Sequence, residues 1–267
     1  MNEAEEKVSR FYNTVGWETA EGETEDARRW EDLRPHAREY VSDCRLRVLR
    51  HLPAEGERLL DMASGPIQYP EYLEYSRHFQ KRFCVDLSSG ALEVAKRRLG
   101  DHAVCLHGSF FDLPLADDFF DAAVSLHTIY HMDRERQEEA VRKLIRVTKP
   151  GKPVVIVYSN PYTLVSLPFR IARRMKQLLL SRGRERETPI YFHAHPIGWW
   201  ERFRDVAEVR SFPWRAFDAI WQKRLFPDNP LGTKMLRWLS SLEERFPSFF
   251  VRHFQYPMIV LTKHAAR

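Results

Sequence analysis

The sequence predicts an open α/β domain, a doubly wound sheet whose strands end in a crevice for a nucleotide-like ligand. Three observations carry this prediction. Arg58 to Gly65, RLLDMASG, is an apolar run that closes on Asp61 and breaks at once into Ala63, Ser64 and Gly65. A second apolar run, FCVD, closes on Asp86. Further strand-like runs, AVCLHG, FDAAVSL and PVVIVYSN, then alternate with helical patterns, as βαβ units require. Two neighbouring strands that each end in a carboxylate place acceptors where open α/β sheets bind ligands.

Composition narrows the class. The 267 residues suit one domain with insertions and can bury a sizeable core. With 43% hydrophobic and 30% charged residues the chain has a globular composition, not a disordered one. The excess of 42 Lys+Arg over 37 Asp+Glu gives +5, too mild a bias to indicate nucleic acid without clustering. Cys44, Cys84 and Cys105 lack metal-ligand spacing, and two of them fall in apolar strand-like runs. They read as buried, reduced thiols. The start MNEAEEKVSR has neither the cationic residues nor the apolar core of a signal peptide, and no apolar run approaches the ~18 residues of a membrane span. A cytoplasmic protein is expected.

The elements follow in order. Residues 3 to 12 have helical spacing with Val8, Phe11 and Tyr12 on one side, and the Gly-, Thr- and Glu-rich stretch to Asp26 reads as a loop. From Ala27 to Leu52 the apolar positions fit one or two amphipathic helices bent at Pro35, with a solvated Arg/Glu face. After the Gly65 turn, Pro70 opens a short helix, and Ser88 or Ser89 caps the helix through ALEVAKRRL. Arg134 to Val147 reads as a charged amphipathic helix, stopped by Lys149-Pro150-Gly151 before the fifth strand. AEVRSFPWRAF and YPMIVLTK are the last two strands, separated by helical sequence around 218–254.

The order of these segments resembles the class I S-adenosylmethionine-dependent methyltransferases, of the small-molecule, methyltransferase-11-like type. RLLDMASG is similar to that family's D-x-G-x-G signature, and GSFFDLPLADDFFDAAVSLHTIYHM and LIRVTKPGKPVVIV look like its later motifs. The resemblance covers roughly residues 55 to 160 and departs from the pattern at Ala63, where the first glycine is usual, and at Ser109, where an adenine-binding Asp is usual. It implies a Rossmann-like, seven-stranded sheet with an antiparallel last strand, a helical lid over 1–52, and cap insertions around 161–200 and 218–254 of the 53–267 domain. It also implies S-adenosylmethionine as cofactor, held by Tyr12, Asp61, Ala63, Ser64, Gly65, Asp86, Leu87, Ser109, Phe110, Leu126 and His127. Tyr12 and Trp17 either contact the cofactor from the lid or anchor that segment to the core. Asp112 competes with Ser109 for the adenine amine, or caps the turn before Pro114.

For the acceptor side the candidates are His127, directly after the fourth strand, and His193 and His195 in the aromatic segment TPIYFHAHPIGWWERF. Each is a candidate base or substrate contact, because an oxygen or nitrogen acceptor can need its proton removed. His127 and His131 stand four apart, as metal ligands on a helical turn would, but no third ligand is evident and no metal is expected. Leu164 to Arg186 has an apolar stripe opposite seven basic residues and reads as a cap helix, or as one that meets a membrane surface or an anionic substrate. The expected activity is methyl transfer to a small or amphiphilic metabolite, with O- or N-methylation favoured. Alternatives are C-methylation and a non-catalytic, cofactor-binding scaffold. Nicotinamide chemistry is disfavoured, because the first turn is A-S-G-P-I-Q and not G-x-G-x-x-G.

Overall fold

A computed structural model describes residues 3–12, 19–20, 23–167 and 191–265. Seven strands form one sheet: β1 (Gly56–Met62), β2 (Phe79–Asp86), β3 (Ala103–His107), β4 (Ala122–Leu126), β5 (Pro153–Val157), β6 (Ala207–Arg215) and β7 (Tyr256–Lys263). Their order is β3-β2-β1-β4-β5-β7-β6. The first five are parallel, and β7 inserts antiparallel between β5 and β6. The strand order reverses between β1 and β4, so the crevice opens at their C-terminal tips.

Alternation along the strands divides the core in two. Leu60, Ala123, Val154 and Ile156 face one side, packed by α6 (Gln137–Val147) through Val141 and Leu144 and by Trp200 and Phe203 of the 3-10 segment Ile197–Asp205. Leu59, Ala122, Val124 and Val155 face the other, under α3 (Arg38–Leu46), α8 (Pro230–Arg245) and α9 (Pro247–His253). Strands covered on both faces are largely apolar, which is why β5 reads as an unbroken hydrophobic run and β4 departs from one only at buried Ser125. Each fully buried Val, Leu, Ile or Phe side chain among them contributes roughly 1.5–3 kcal/mol.

The remaining helices frame the crevice. At the N-terminus α1 (Glu3–Phe11) leads to a two-strand ribbon, Thr19–Ala20 with Glu23–Thr24, and then to α2 (Glu25–Trp30). The expected bend falls at Pro35, which opens a 3-10 turn ahead of α3. After β1, α4 (Pro70–Glu74) ends sooner than its sequence pattern suggests, and α5 (Ser89–Leu99) is capped by Ser88, whose Oγ accepts the Ala91 N–H at 3.2 Å. α7 (Ala219–Leu225) joins α8 and α9 between the last two strands.

The solvated Arg/Glu face expected for residues 27–52 forms only in part, with Arg38, Glu39 and Arg50 exposed. Glu31, Asp32, Arg45 and Arg47 are all buried. Arg47 donates to the Trp214 carbonyl and pairs with Glu243 at 2.7 Å, and Tyr40 donates to the same carboxylate. Buried charges survive only when paired and hydrogen-bonded. These pairs join α3 and the 3-10 turn that follows it to β6 and α8, long-range partners that periodicity cannot anticipate.

The three cysteines are unpaired, with Cys44 and Cys84 buried. Burial pushes both thiols up to about 12, so they are protonated and inert near neutrality. No helix among the described residues is long and apolar enough to cross a membrane. Trp17 and the expected basic helix beyond Leu167 lie outside the described residues.

Candidate active site

One cavity of about 490 Å³ opens at the strand tips. Of the sequence-predicted residues, Tyr12, Asp61, Ala63, Ser64, Gly65, Asp86, Leu87, Phe110, Leu126 and His127 line it. The β1 turn is sharp: Ala63, Gly65 and Ile67 have φ of 60°, 55° and 53°. Glycine adopts this left-handed region at no steric cost, and Ala63 pays for it. The bend carries the chain back across the tip of β2, where Asp86 Oδ2 accepts the Gly65 N–H at 2.8 Å and Oδ1 accepts the Ser88 N–H at 2.9 Å. Burial pushes the Asp86 pKa up to about 6, against the pull of those two N–H groups.

Asp61 has a second allegiance. Its Oδ2 takes two bonds from the guanidinium of fully buried Arg82, at 3.0 Å from Nε and 2.5 Å from Nη2. Parallel pairing of β1 with β2, Asp61 opposite Cys84, brings Arg82 within reach. At the β3 tip Gly108 and Phe110 line the cavity, but Ser109 between them does not. The Ser109 hydroxyl is turned to α1, where it donates to Glu5 Oε1 at 2.5 Å. It therefore faces the N-terminal helix and not the cavity. Lys143 of α6 fixes this loop by donating to the carbonyls of Phe110, Phe111 and Leu113.

At the β4 tip, His127 has φ 57° and its N–H donates to the Val157 carbonyl. Its Nδ1 lies 3.0 Å from the Tyr130 hydroxyl, and its ring meets those of Trp214 and Tyr256 edge-on at 4.7 and 5.0 Å. Burial, then the charges of Arg215, His131 and Arg45, hold its pKa well below the ordinary histidine value. The ring is neutral at pH 7. His131 also lines the cavity; burial takes it down to about 4, and its Nδ1 sits 2.7 Å from the Tyr191 carbonyl.

His193 and His195 are not brought to the cavity. Their stretch is held by bonds from His193 N–H to the Tyr130 carbonyl and from His195 N–H to the Tyr158 hydroxyl. Phe192 is on the cavity wall and Ala194 packs on the core, while the rings of His193 and His195 meet each other at 4.9 Å. His195 stacks on Trp199 at 4.5 Å.

Sequence reading missed the wall made by Trp30, Glu31, Arg215 and Tyr256. Glu31 receives Arg215 Nη1 at 2.9 Å and Arg45 Nη2 at 2.7 Å. Glu31 directly follows α2, Arg45 is in α3 and Arg215 ends β6, and no local pattern links them.

The cavity suits an adenosyl sulfonium. Its lining carries five carboxylates (Glu5, Glu31, Asp61, Asp86, Asp218) against two guanidiniums, Arg82 and Arg215, which favours a cationic ligand. Asp86 has lone pairs left for ribose hydroxyls, and Leu87, Phe110 and Met132 offer an apolar wall for a base.

A family model described as a methyltransferase domain matches residues 60–156. Over 112 residues the chain is 36% identical to a demethylmenaquinone methyltransferase of Clavibacter sepedonicus, covering 41% of this chain and 44% of the relative. A second relative of that description, from Halalkalibacterium halodurans, is 33% identical over 105 residues, 39% of each chain. The chain thus matches less than half the length of these relatives. Among solved structures, a geranyl diphosphate methyltransferase with GPP and sinefungin superposes with a TM-score of 0.57 at 18% identity, covering 98% of this chain and 99% of that one. An S-adenosylmethionine-dependent methyltransferase of Archaeoglobus fulgidus gives 0.54 at 18% identity, over 85% of this chain and 94% of that one. These likenesses are of fold. The matched stretch runs from β1 to β5 and includes the turn at Ala63–Gly65 and Asp86, and over these residues the chain carries an S-adenosylmethionine-dependent methyltransferase domain.

Proposed function

We propose that this chain methylates a small or amphiphilic acceptor at an electron-rich ring carbon, as on a quinol. The observation that carries the reading is the continuity of one cavity, from Gly65 and Asp86 to the aromatic wall of Trp30, Phe192 and Tyr256. S-adenosylmethionine supplies an electrophilic methyl group on a positively charged sulfur. The residues of this chain then have mainly to align the acceptor and exclude water.

His127 bears on which atom accepts the methyl. For Nε2 to take a proton, Nδ1–H must donate to the Tyr130 hydroxyl 3.0 Å away. The resulting imidazolium would form near Arg215, and the pKa of the ring is already pushed well down. An acceptor that depends on a strong base is therefore poorly served, whereas a ring carbon activated by an already ionised hydroxyl is well served. The quinone-directed activity in the relatives' description points the same way. This reading takes precedence over the O- or N-methylation expected from sequence.

Calorimetric titration with S-adenosylmethionine and S-adenosylhomocysteine tests the first half, since both should bind. Turnover with a reduced, unsubstituted naphthoquinone, a catechol and an arylamine tests the second. A carbon-methylated naphthoquinol identified by mass spectrometry and NMR is the expected product. Methyl found only on oxygen or nitrogen would overturn the ring-carbon assignment.

A further inference from the structure

We infer that Arg215 receives an anionic oxygen of the acceptor, a carboxylate, a phosphate or an ionised ring hydroxyl, on the cavity wall beside His127. This deepens the reading proposed above and rests on it. Arg215 lines the cavity, yet only 2% of its surface is exposed. Its Nη1 is committed to both oxygens of Glu31, at 2.9 and 3.1 Å. Its Nε, also buried, has no hydrogen-bond partner among the described residues. A buried guanidinium N–H left without an acceptor is costly and calls for an explanation, and this one belongs to a residue that lines the cavity.

The counterion is also shared. Glu31 accepts Arg45 Nη2 at 2.7 Å as well as Arg215, while Glu71 reaches the other nitrogen of Arg45 only at 3.4 Å. One carboxylate thus serves two guanidiniums at short range. The Arg215 guanidinium lies 5.0 Å from the centre of the Trp214 ring and 5.2 Å from that of Tyr256. The same two rings hold His127. Arg215 therefore stands one aromatic ring from the β4 tip, and its planar fork suits an oxyanion better than an ammonium would. Trp30, Phe192 and Ile220 line the same cavity while remaining about half exposed, at 51%, 50% and 52%. They form an apolar rim, so an acceptor with a charged oxygen inside and an apolar body outside fits the shape.

The test uses the full chain saturated with S-adenosylhomocysteine, which fills the cofactor end, and calorimetric titration with 2-naphthoate, 2-naphthyl phosphate, 2-naphthol across pH 7 to 10 and neutral 2-naphthalenemethanol. Wild type should bind at least one anionic probe on the order of ten-fold more tightly than the alcohol. The arm that wins identifies the source of the oxygen: carboxylate, phosphate or, if 2-naphthol tightens only as it ionises, a ring hydroxylate. Arg215→Gln should abolish the preference with homocysteine-product binding unchanged. Glu31→Gln should strengthen it, a direction that a merely structural role would not give. Wild type binding all four probes within about two-fold overturns the inference even where Arg215→Gln fails to fold. Loss of S-adenosylhomocysteine binding by wild type would instead overturn the function proposed above.

Discussion

Asp86 at the tip of β2 accepts the backbone N–H of Gly65 at 2.8 Å, so the carboxylate and the turn that line the cavity form one unit. Ribose hydroxyls donate best to the ionised carboxylate, and burial has raised its pKa to about 6. Affinity for S-adenosylhomocysteine should therefore fall as the pH drops through about 6. Asp86→Asn should bind more weakly at pH 7 by roughly 1.5–3 kcal/mol, the worth of hydrogen bonds to a charged group. It should also lose the pH dependence. Titration calorimetry between pH 5 and 8 reads both effects, and an unchanged affinity in the variant would remove Asp86 from the cofactor site.

Stability should respond to acid through His131. Its folded pKa of about 4 lies below the unfolded value of ~6.5, so between these limits the unfolded chain binds a proton that the folded chain refuses. Stability accordingly falls as pH falls from 6.5, by at most ~1.4 kcal/mol per pH unit. Asp86 works in the opposite sense: its folded pKa exceeds the unfolded one, and its ionisation weakens the fold as pH rises from about 4 to 6. His131→Asn keeps a donor for the Tyr191 carbonyl and does not titrate. Urea unfolding at pH 7 and pH 5 should show a smaller loss for this variant than for wild type.

These groups differ in how far the sequence discloses them. Asp61, Gly65 and Asp86 are legible because each sits where an apolar run stops, and the stop is itself the structural signal. Arg82 is not legible as a partner of Asp61, because only the parallel register of β1 and β2 brings them together. Glu31, Arg45 and Arg215 are hidden for the same reason: charges on an amphipathic pattern read as solvated until a distant strand buries them. His193 and His195 mislead in the other direction. Their stretch is rich in aromatics, but Phe192 takes the cavity side and the His195 ring stacks on Trp199 instead.

Ala63 is a local compromise that can be relieved. At φ 60° an L-residue carries a cost of roughly 1–2 kcal/mol that glycine escapes. Ala63→Gly should raise the thermal midpoint by about 2–4 °C, the shift that ~1 kcal/mol produces in a chain of this size. Because Ala63 lines the cavity, removing its methyl group should also let the cofactor approach the backbone more closely. Differential scanning calorimetry with and without S-adenosylhomocysteine checks both. A lower midpoint would mean that the methyl group contributes more by packing than it costs in backbone strain.

Ser109 and Glu5 connect the N-terminal helix to the site. The hydroxyl donates to Glu5 at 2.5 Å and accepts the Phe111 N–H at 3.3 Å, and both side chains of the pair are buried. Glu5 and Val8 of α1 line the cavity, so the helix covers it from one side. On the reading that α1 retains the ligand, release includes a movement of α1 that breaks this bond. Removing a bond of this type costs roughly 1.5–3 kcal/mol. Ser109→Ala should therefore speed dissociation of S-adenosylhomocysteine by about ten-fold or more, with little change in its association rate. Glu5→Gln, which still accepts a neutral hydrogen bond, should have a smaller effect of the same sign. Stopped-flow displacement with a fluorescent adenosyl analogue separates the two rates. If Ser109→Ala slows association and leaves dissociation alone, the hydroxyl acts on the incoming nucleoside, and α1 is not what retains it.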